Sequence, residues 1–367
     1  FVDRARRREH RFELNADNEA GVRAVVRHLD GIPLAIELAA ARIRLMTPAE
    51  IADRLGSGID VLDRGVRGGR HETMRDTIRW SFNLLEPAEA QLFVRSSVFA
   101  GGFDLDAAAA VCADDPLVTG SDVPQLIMTL LDKSMIDSTD VGGRQRFRML
   151  EPLREFASDE LLESGDTQRY RARHATFYLA LAQRESDRFF SPAEPDVWRV
   201  LDVEWSNFRT ALDTFERAGD LDSGAELVMA LVWFAAMSMR FELFGWAAEL
   251  LDAPGVERHP RFTDLCGAIA IRAYFTLDGQ VTERAEIGLV ADPSDPEGLC
   301  RCALASVFLN NEHTAEASAA LTSAWLASHP ATIGSRLRAH GFRVFHLCIH
   351  DPGTEMAEQA AAVTRLA

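Results

Sequence analysis

A chain of 367 residues, 47% of them apolar, is too long for one core and too apolar to be disordered, so it reads as two or three globular domains. Its net charge of −17 excludes a nucleic-acid or acidic-membrane surface over the whole chain, which would need a basic field, and leaves only local patches open. Lys133, the sole lysine, follows Leu130-Leu131-Asp132 with no glycines. A Gly-rich phosphate loop of the Walker A type is therefore absent, and no Walker B strand is found either; Asp114-Asp115 ends an alanine-rich helical stretch instead.

The first segment, 1–66, reads as a small helical bundle. Phe1 to Arg8 looks like the end of a helix, and Asn15 to Glu19 offers N-cap candidates for a helix with Val22, Val25, Val26 and Leu29 at helical spacing. That helix runs into Gly31-Ile32-Pro33-Leu34. Glycine closes one helix in a left-handed conformation and proline suits the first turn of the next, so two helices meet at a fixed elbow. Ala35, Ala39, Ala40 and Ala41 let a neighbour approach closely, while Leu34, Ile36, Leu38 and Ile43 supply apolar surface. Thr47-Pro48-Ala49-Glu50 is a capping box opening a helix expected to stop at Gly56. The arginines at 4, 6, 7 and 8 lack interleaved aromatics and read as a solvated helix end.

Glycines between 57 and 70 suggest a link and a first boundary. Helices are expected over Thr73–Leu85, Pro87–Val98, Asp104–Cys112 and Val123–Lys133. The period then changes to two around Val141-Gly142-Gly143, a β-hairpin signal, before a helix over Pro152–Glu163. Helices followed by a hairpin make a winged helix over 67–168. Its candidate recognition helix, Pro124 to Asp132, is mostly apolar with one glutamine, which argues against base reading. Arg144, Arg146 and Arg148 alternate on the wing and would share one face, which leaves a phosphate or acidic partner open there.

From 169 to 367 the pattern is helical: Ala172–Glu185, then Val197–Arg217 and Ala225–Met239 broken at Gly219-Asp220, then pairs beginning near Phe262, Pro296 and Thr332. Starts spaced by about 34 to 36 residues give tetratricopeptide-like (TPR-like) repeats by period, a surface suited to a protein partner or small inducer. Trp233, Phe234, Trp246 and Tyr274 could line that surface or fill the core. The fold class is mainly α: a helical domain, a winged helix with a short hairpin, and helical repeats.

The run Gly31-Ile32-Pro33-Leu34-Ala35-Ile36-Glu37-Leu38-Ala39-Ala40-Ala41-Arg42 resembles the GxP motif of STAND-type signalling ATPases, the class that includes AfsR-like and LuxR-type bacterial regulators and the NB-ARC proteins. The stretches Trp80-Ser81-Phe82, Val98 to Phe103 and Leu131 to Ser134 are similar to the winged helix that follows it there, and Leu201 to Leu212 to the opening of the repeat sensor. The resemblance implies that Pro33, with Gly31 and Leu34, lies against the adenine of ATP or ADP, whose phosphates a P-loop domain of a longer parent chain holds. It also aligns Met149-Leu150-Glu151 with the MHD motif. Leu150 replaces the phosphate-sensing histidine and cannot donate a hydrogen bond, so the neighbouring Arg148 is the candidate phosphate contact. The implied output is transcriptional control through a domain outside this chain. A protein-interaction scaffold, or a winged helix that binds DNA directly, are the alternatives.

No hydrolytic or redox constellation occurs, so the chain is not expected to be an enzyme by itself. Five cysteines, an odd number, read as reduced and cytoplasmic. Cys300, Cys302, His346, Cys348 and His350 fit no standard zinc spacing, and no metal is expected. The longest apolar run, Leu227 to Met239, is too short to span a bilayer, so no membrane partner is expected. Phe1 falls in mid-helix, which suggests a fragment of a longer protein.

Overall fold

The computed structural model describes residues 1–29, 31–60, 70–114, 116–189, 191–271, 280–293 and 299–300. The protein is mainly helical, with one two-stranded antiparallel sheet among the described residues. It divides into two compact units, Phe1–Phe177 and Tyr178–Ala367.

The first unit opens with α1 (Val2–Arg8), α2 (Glu19–His28), α3 (Pro33–Ala40) and α4 (Pro48–Asp60). Val25 of α2 and Leu29 just after it, Ile32, Ala35 and Ala39 at and beyond the elbow, and Ile51, Ala52 and Leu55 of α4 form one buried cluster. Gly21 lets α2 press on the start of α4, where an added Cβ would lie 2.7 Å from the Ala49 backbone nitrogen. The capping box is present: the Thr47 N–H donates to the Glu50 carboxylate at 2.7 Å, and the Glu50 N–H to the Thr47 hydroxyl at 3.3 Å. Contrary to expectation, α4 does not stop at Gly56 but continues to Asp60. A glycine inside a helix costs only about 1 kcal/mol, less than the packing of Ile51 and Leu55 against α2 supplies. Of the expected link, positions 61–69 lie outside the described residues.

Next come α5 (Arg70–Phe82), α6 (Pro87–Arg95) with a 3-10 turn over Ser96–Val98, α7 (Leu105–Cys112) and α8 (Val123–Asp132), then β1 (Asp137–Val141), β2 (Arg144–Arg148) and α9 (Glu151–Glu163). The strands pair from Asp137 opposite Arg148 to Val141 opposite Arg144. Gly142 and Gly143 make the turn, both at positive φ, as a two-residue hairpin loop requires. Phe103 adds a bridge to Phe147, with N–H to carbonyl distances of 2.9 and 2.8 Å. Gly102 beside it stands at φ 81°, and a Cβ there would sit 2.7 Å from the Phe147 carbonyl oxygen. Helix α10 (Thr167–Arg188) follows, and the division between the units falls within it.

In the second unit, α11 (Glu194–Val203) and α12 (Trp205–Ala218) replace the single helix expected over Val197–Arg217. The joint is Glu204, which is buried and accepts from the Asn207 side chain at 2.8 Å. The expected break at Gly219 is present at φ 68°. Then follow α13 (Leu221–Met237), α14 (Glu242–Leu251), α15 (Phe262–Ile271) and α16 (Gln280–Ala291). Helices α12, α14 and α16 start at residues 205, 242 and 280, slightly wider than the expected period. The repeat starts at Pro296 and Thr332 lie outside the described residues, as does Tyr274. Trp233, Phe234 and Trp246 are buried, and Trp246 stacks on Trp205 at 5.3 Å between ring centroids. These three therefore fill the core and do not line a binding surface.

Candidate functional site

The elbow between α2 and α3 is built by backbone constraints. The Gly31 N–H donates to the Val26 carbonyl at 3.3 Å and the Ile32 N–H to the Leu29 carbonyl at 2.8 Å, which closes α2. Gly31 stands at φ 68°, a region that costs other residues about 1–2 kcal/mol, and nothing lies within 4 Å of where its Cβ would be. Pro33 occupies the first turn of α3. Ile32 is buried and anchors the corner in the core, whereas Gly31 and Pro33 are exposed and Leu34 is half-buried. The three together form an open, partly apolar rim on a rigid support.

At the far end of α3, Arg42 is buried and donates to the Ser81 carbonyl of α5 at 3.2 Å. Burial lowers its pKa to about 10, so the guanidinium is still charged at neutral pH. The sequence gives no role to Arg42; its place beside the small side chains Ala39 and Ala40, where α5 comes close, is the only hint.

The wing differs from its sequence reading. Arg146 is buried and donates to the Gly102 carbonyl at 3.1 Å, so it braces the Gly101-Gly102 turn and is not available to a phosphate with Arg144 and Arg148. Arg144 and Arg148 are exposed. The Arg148 guanidinium has no hydrogen-bond or ion-pair partner among the described residues, and it makes no contact of either kind with Gly31, Pro33 or Leu34. The four candidate residues thus fall on two separate elements. Met149 and Leu150 are half-buried at the joint into α9, and Glu151 pairs with Arg154 at 3.0 and 2.5 Å. That hydrogen bond holds the Glu151 carboxyl below its usual range.

Lys133 is committed to structure. It bonds the Glu89 carboxylate, which also caps α6 by accepting the Glu86 N–H at 2.8 Å. The exposed side of α8 presents Pro124, Gln125, Met128 and Asp132, with no cation among them. Cys112 and Cys266 are buried free thiols, pushed by burial up to about 12 and about 11 respectively. Among the described residues, no group of three or more His, Cys, Asp or Glu side chains is placed to hold a metal; Cys302, His346, Cys348 and His350 lie outside them. No helix among the described residues is long and apolar enough to cross a membrane.

No protein-family model matches the chain. It is 39% identical over 280 residues, 74% of its length, to proteins of Mycobacterium tuberculosis and Mycobacterium bovis that carry the name "Putative HTH-type transcriptional regulator". It is 40% identical over 177 residues, 47% of its length, to a Mycobacterium tuberculosis protein named as uncharacterized. The matched stretch spans 30% of the length of the first relatives and 45% of the last.

Proposed function

We propose that this chain is the regulatory part of a bacterial transcriptional regulator of the STAND type, in which the Gly31-Pro33 elbow faces the adenine of ATP or ADP. The names of the relatives support a role in transcription. The observation that carries the nucleotide reading is that Pro33 is exposed on a corner whose neighbours Ile32 and Ala35 are buried, so an apolar ring face is fixed in place and open. A P-loop domain elsewhere in the parent polypeptide grips the phosphates, Arg148 contacts them from the wing, and the helical repeats receive an inducer or protein signal. Nucleotide and signal each bias a two-state equilibrium by their differential affinity for its states. DNA contact is assigned to a domain outside this chain, because the exposed side of α8 carries no cation and Arg146 is buried. A cytoplasmic setting belongs to the same reading.

The test is to express the chain with its natural upstream sequence and quantify adenine nucleotide retained through purification. Pro33→Ala is expected to lower retention several-fold with the fold intact. Equal retention by the variant, or none in the parent, contradicts the proposal and favours a scaffold that binds only proteins. Salt-sensitive gel retardation of DNA by the 367-residue chain alone would instead support direct DNA binding.

A further inference from the structure

Arg4, Arg7 and Arg8 stand at i, i+3 and i+4 on α1, so their guanidiniums share one side of the helix. With Glu37 of α3, they line a cleft of about 270 Å³. Three cations on one stripe repel, and the structure supplies two carboxylates: Glu37 lies 3.5 Å from Arg4, and Asp132 lies 4.0 Å from Arg8. Both pairs are looser than hydrogen-bonded ones. Arg7 is exposed and has no hydrogen-bond or ion-pair partner among the described residues. The cleft therefore keeps an unbalanced positive charge in a chain of net charge −17, where a concave wall concentrates the local field. Arginine's planar fork pairs two N–H groups with two oxygens of a tetrahedral oxyanion. The volume is enough for a phosphoryl group with part of its hydration.

We propose that this cleft is a phosphate-anion site, in which Arg7 is the principal ligand, Arg4 swings from Glu37 toward the bound oxygens, and Arg8, which also donates to the Ser134 hydroxyl at 2.7 Å, adds its charge from where it stands. Occupancy then loosens the hold of α1 on Glu37. The site does not depend on the purine reading of the elbow, since it needs neither a base nor Pro33. The phosphoryl group can come from a nucleotide tail or from a free phosphate compound.

The experiment is calorimetric titration of the 367-residue chain at low salt with pyrophosphate, ATP and adenosine. Pyrophosphate should bind saturably, Arg7→Gln should weaken it at least tenfold while leaving the circular dichroism unchanged, and Pro33→Ala should leave it unaffected. If ATP binds more tightly than pyrophosphate and Pro33→Ala removes only the difference, the occupant is a nucleotide tail; equal affinities point to a free phosphate compound. Adenosine binding reports on the elbow alone, so the two ideas fail separately. Absence of pyrophosphate binding, or equal binding by Arg7→Gln and a further variant, Arg7→Glu, overturns the proposal.

Discussion

The Arg8 guanidinium donates to the Ser134 hydroxyl at 2.7 Å across 126 residues of chain. Ser134 is buried and takes a positive φ of 56°, rare outside glycine, so this corner after α8 is held by its contacts and not by its own preference. Through it, α1 is joined to the winged-helix portion of the first unit. Arg8→Ala should therefore lower stability by about 1 kcal/mol, the usual worth of one such hydrogen bond, read as a shift in the urea midpoint.

Two glycines at nearly the same φ should respond differently to alanine. Gly143 stands at φ 79° with nothing within 4 Å of its Cβ position, so Gly143→Ala should cost only the backbone strain, about 1 kcal/mol. Gly102, at 81°, faces the Phe147 carbonyl, and Gly102→Ala adds an overlap worth about 1–3 kcal/mol. Thermal unfolding of the two variants side by side measures the difference.

Asp114 is a buried anchor after α7. It lies 2.6 Å from Arg169 and 3.5 Å from the buried Arg95, and it accepts the Tyr170 hydroxyl at 2.9 Å. Removing it leaves the Arg95 charge buried without this carboxylate, so Asp114→Ala should cost about 3–5 kcal/mol. The exposed pair Glu151–Arg154 makes the contrast, with Glu151→Ala changing stability by about 0.5 kcal/mol or less. Denaturant unfolding of both variants decides it, and similar costs would contradict the buried role of Asp114.

Glu50 should give a pH signature. The Thr47 N–H and hydroxyl hold its carboxyl below the ordinary 4.5, so its folded pKa is depressed. Its contribution is therefore fully present above 4.5 and is lost as pH falls through the lower folded value. Glu50→Ala should be less stable than the parent at pH 6, and the gap should close in acid. A gap independent of pH would assign the effect to packing.

What the sequence made legible is local chemistry. Gly31 and Pro33 fix the elbow, Thr47 and Glu50 the cap, and Gly142-Gly143 the hairpin turn, because each is decided by the conformational limits of a few adjacent residues. Arg146 was misread because period two speaks only of which side of a strand a residue takes; the Gly101 and Gly102 carbonyls that hold it come from 44–45 residues away. The joint at Glu204 carries neither glycine nor proline, and its side-chain partner Asn207 becomes recognisable only once burial is known. Arg42 drew no reading from the sequence, because its partner Ser81 is 39 residues distant. At the candidate site the rim of the elbow was legible, but the basic cleft beside it was not, since the arginine run alone cannot show that Glu37 closes a concavity over it.

The most direct test of the central claim is photolabelling with an azido-adenine nucleotide, using a polypeptide that includes the upstream P-loop domain the proposal requires, followed by peptide mapping. The account predicts a nucleotide-protectable adduct within residues 31–36, lost together with affinity in Pro33→Ala. Labelling confined to other segments, unchanged by that substitution, would contradict it.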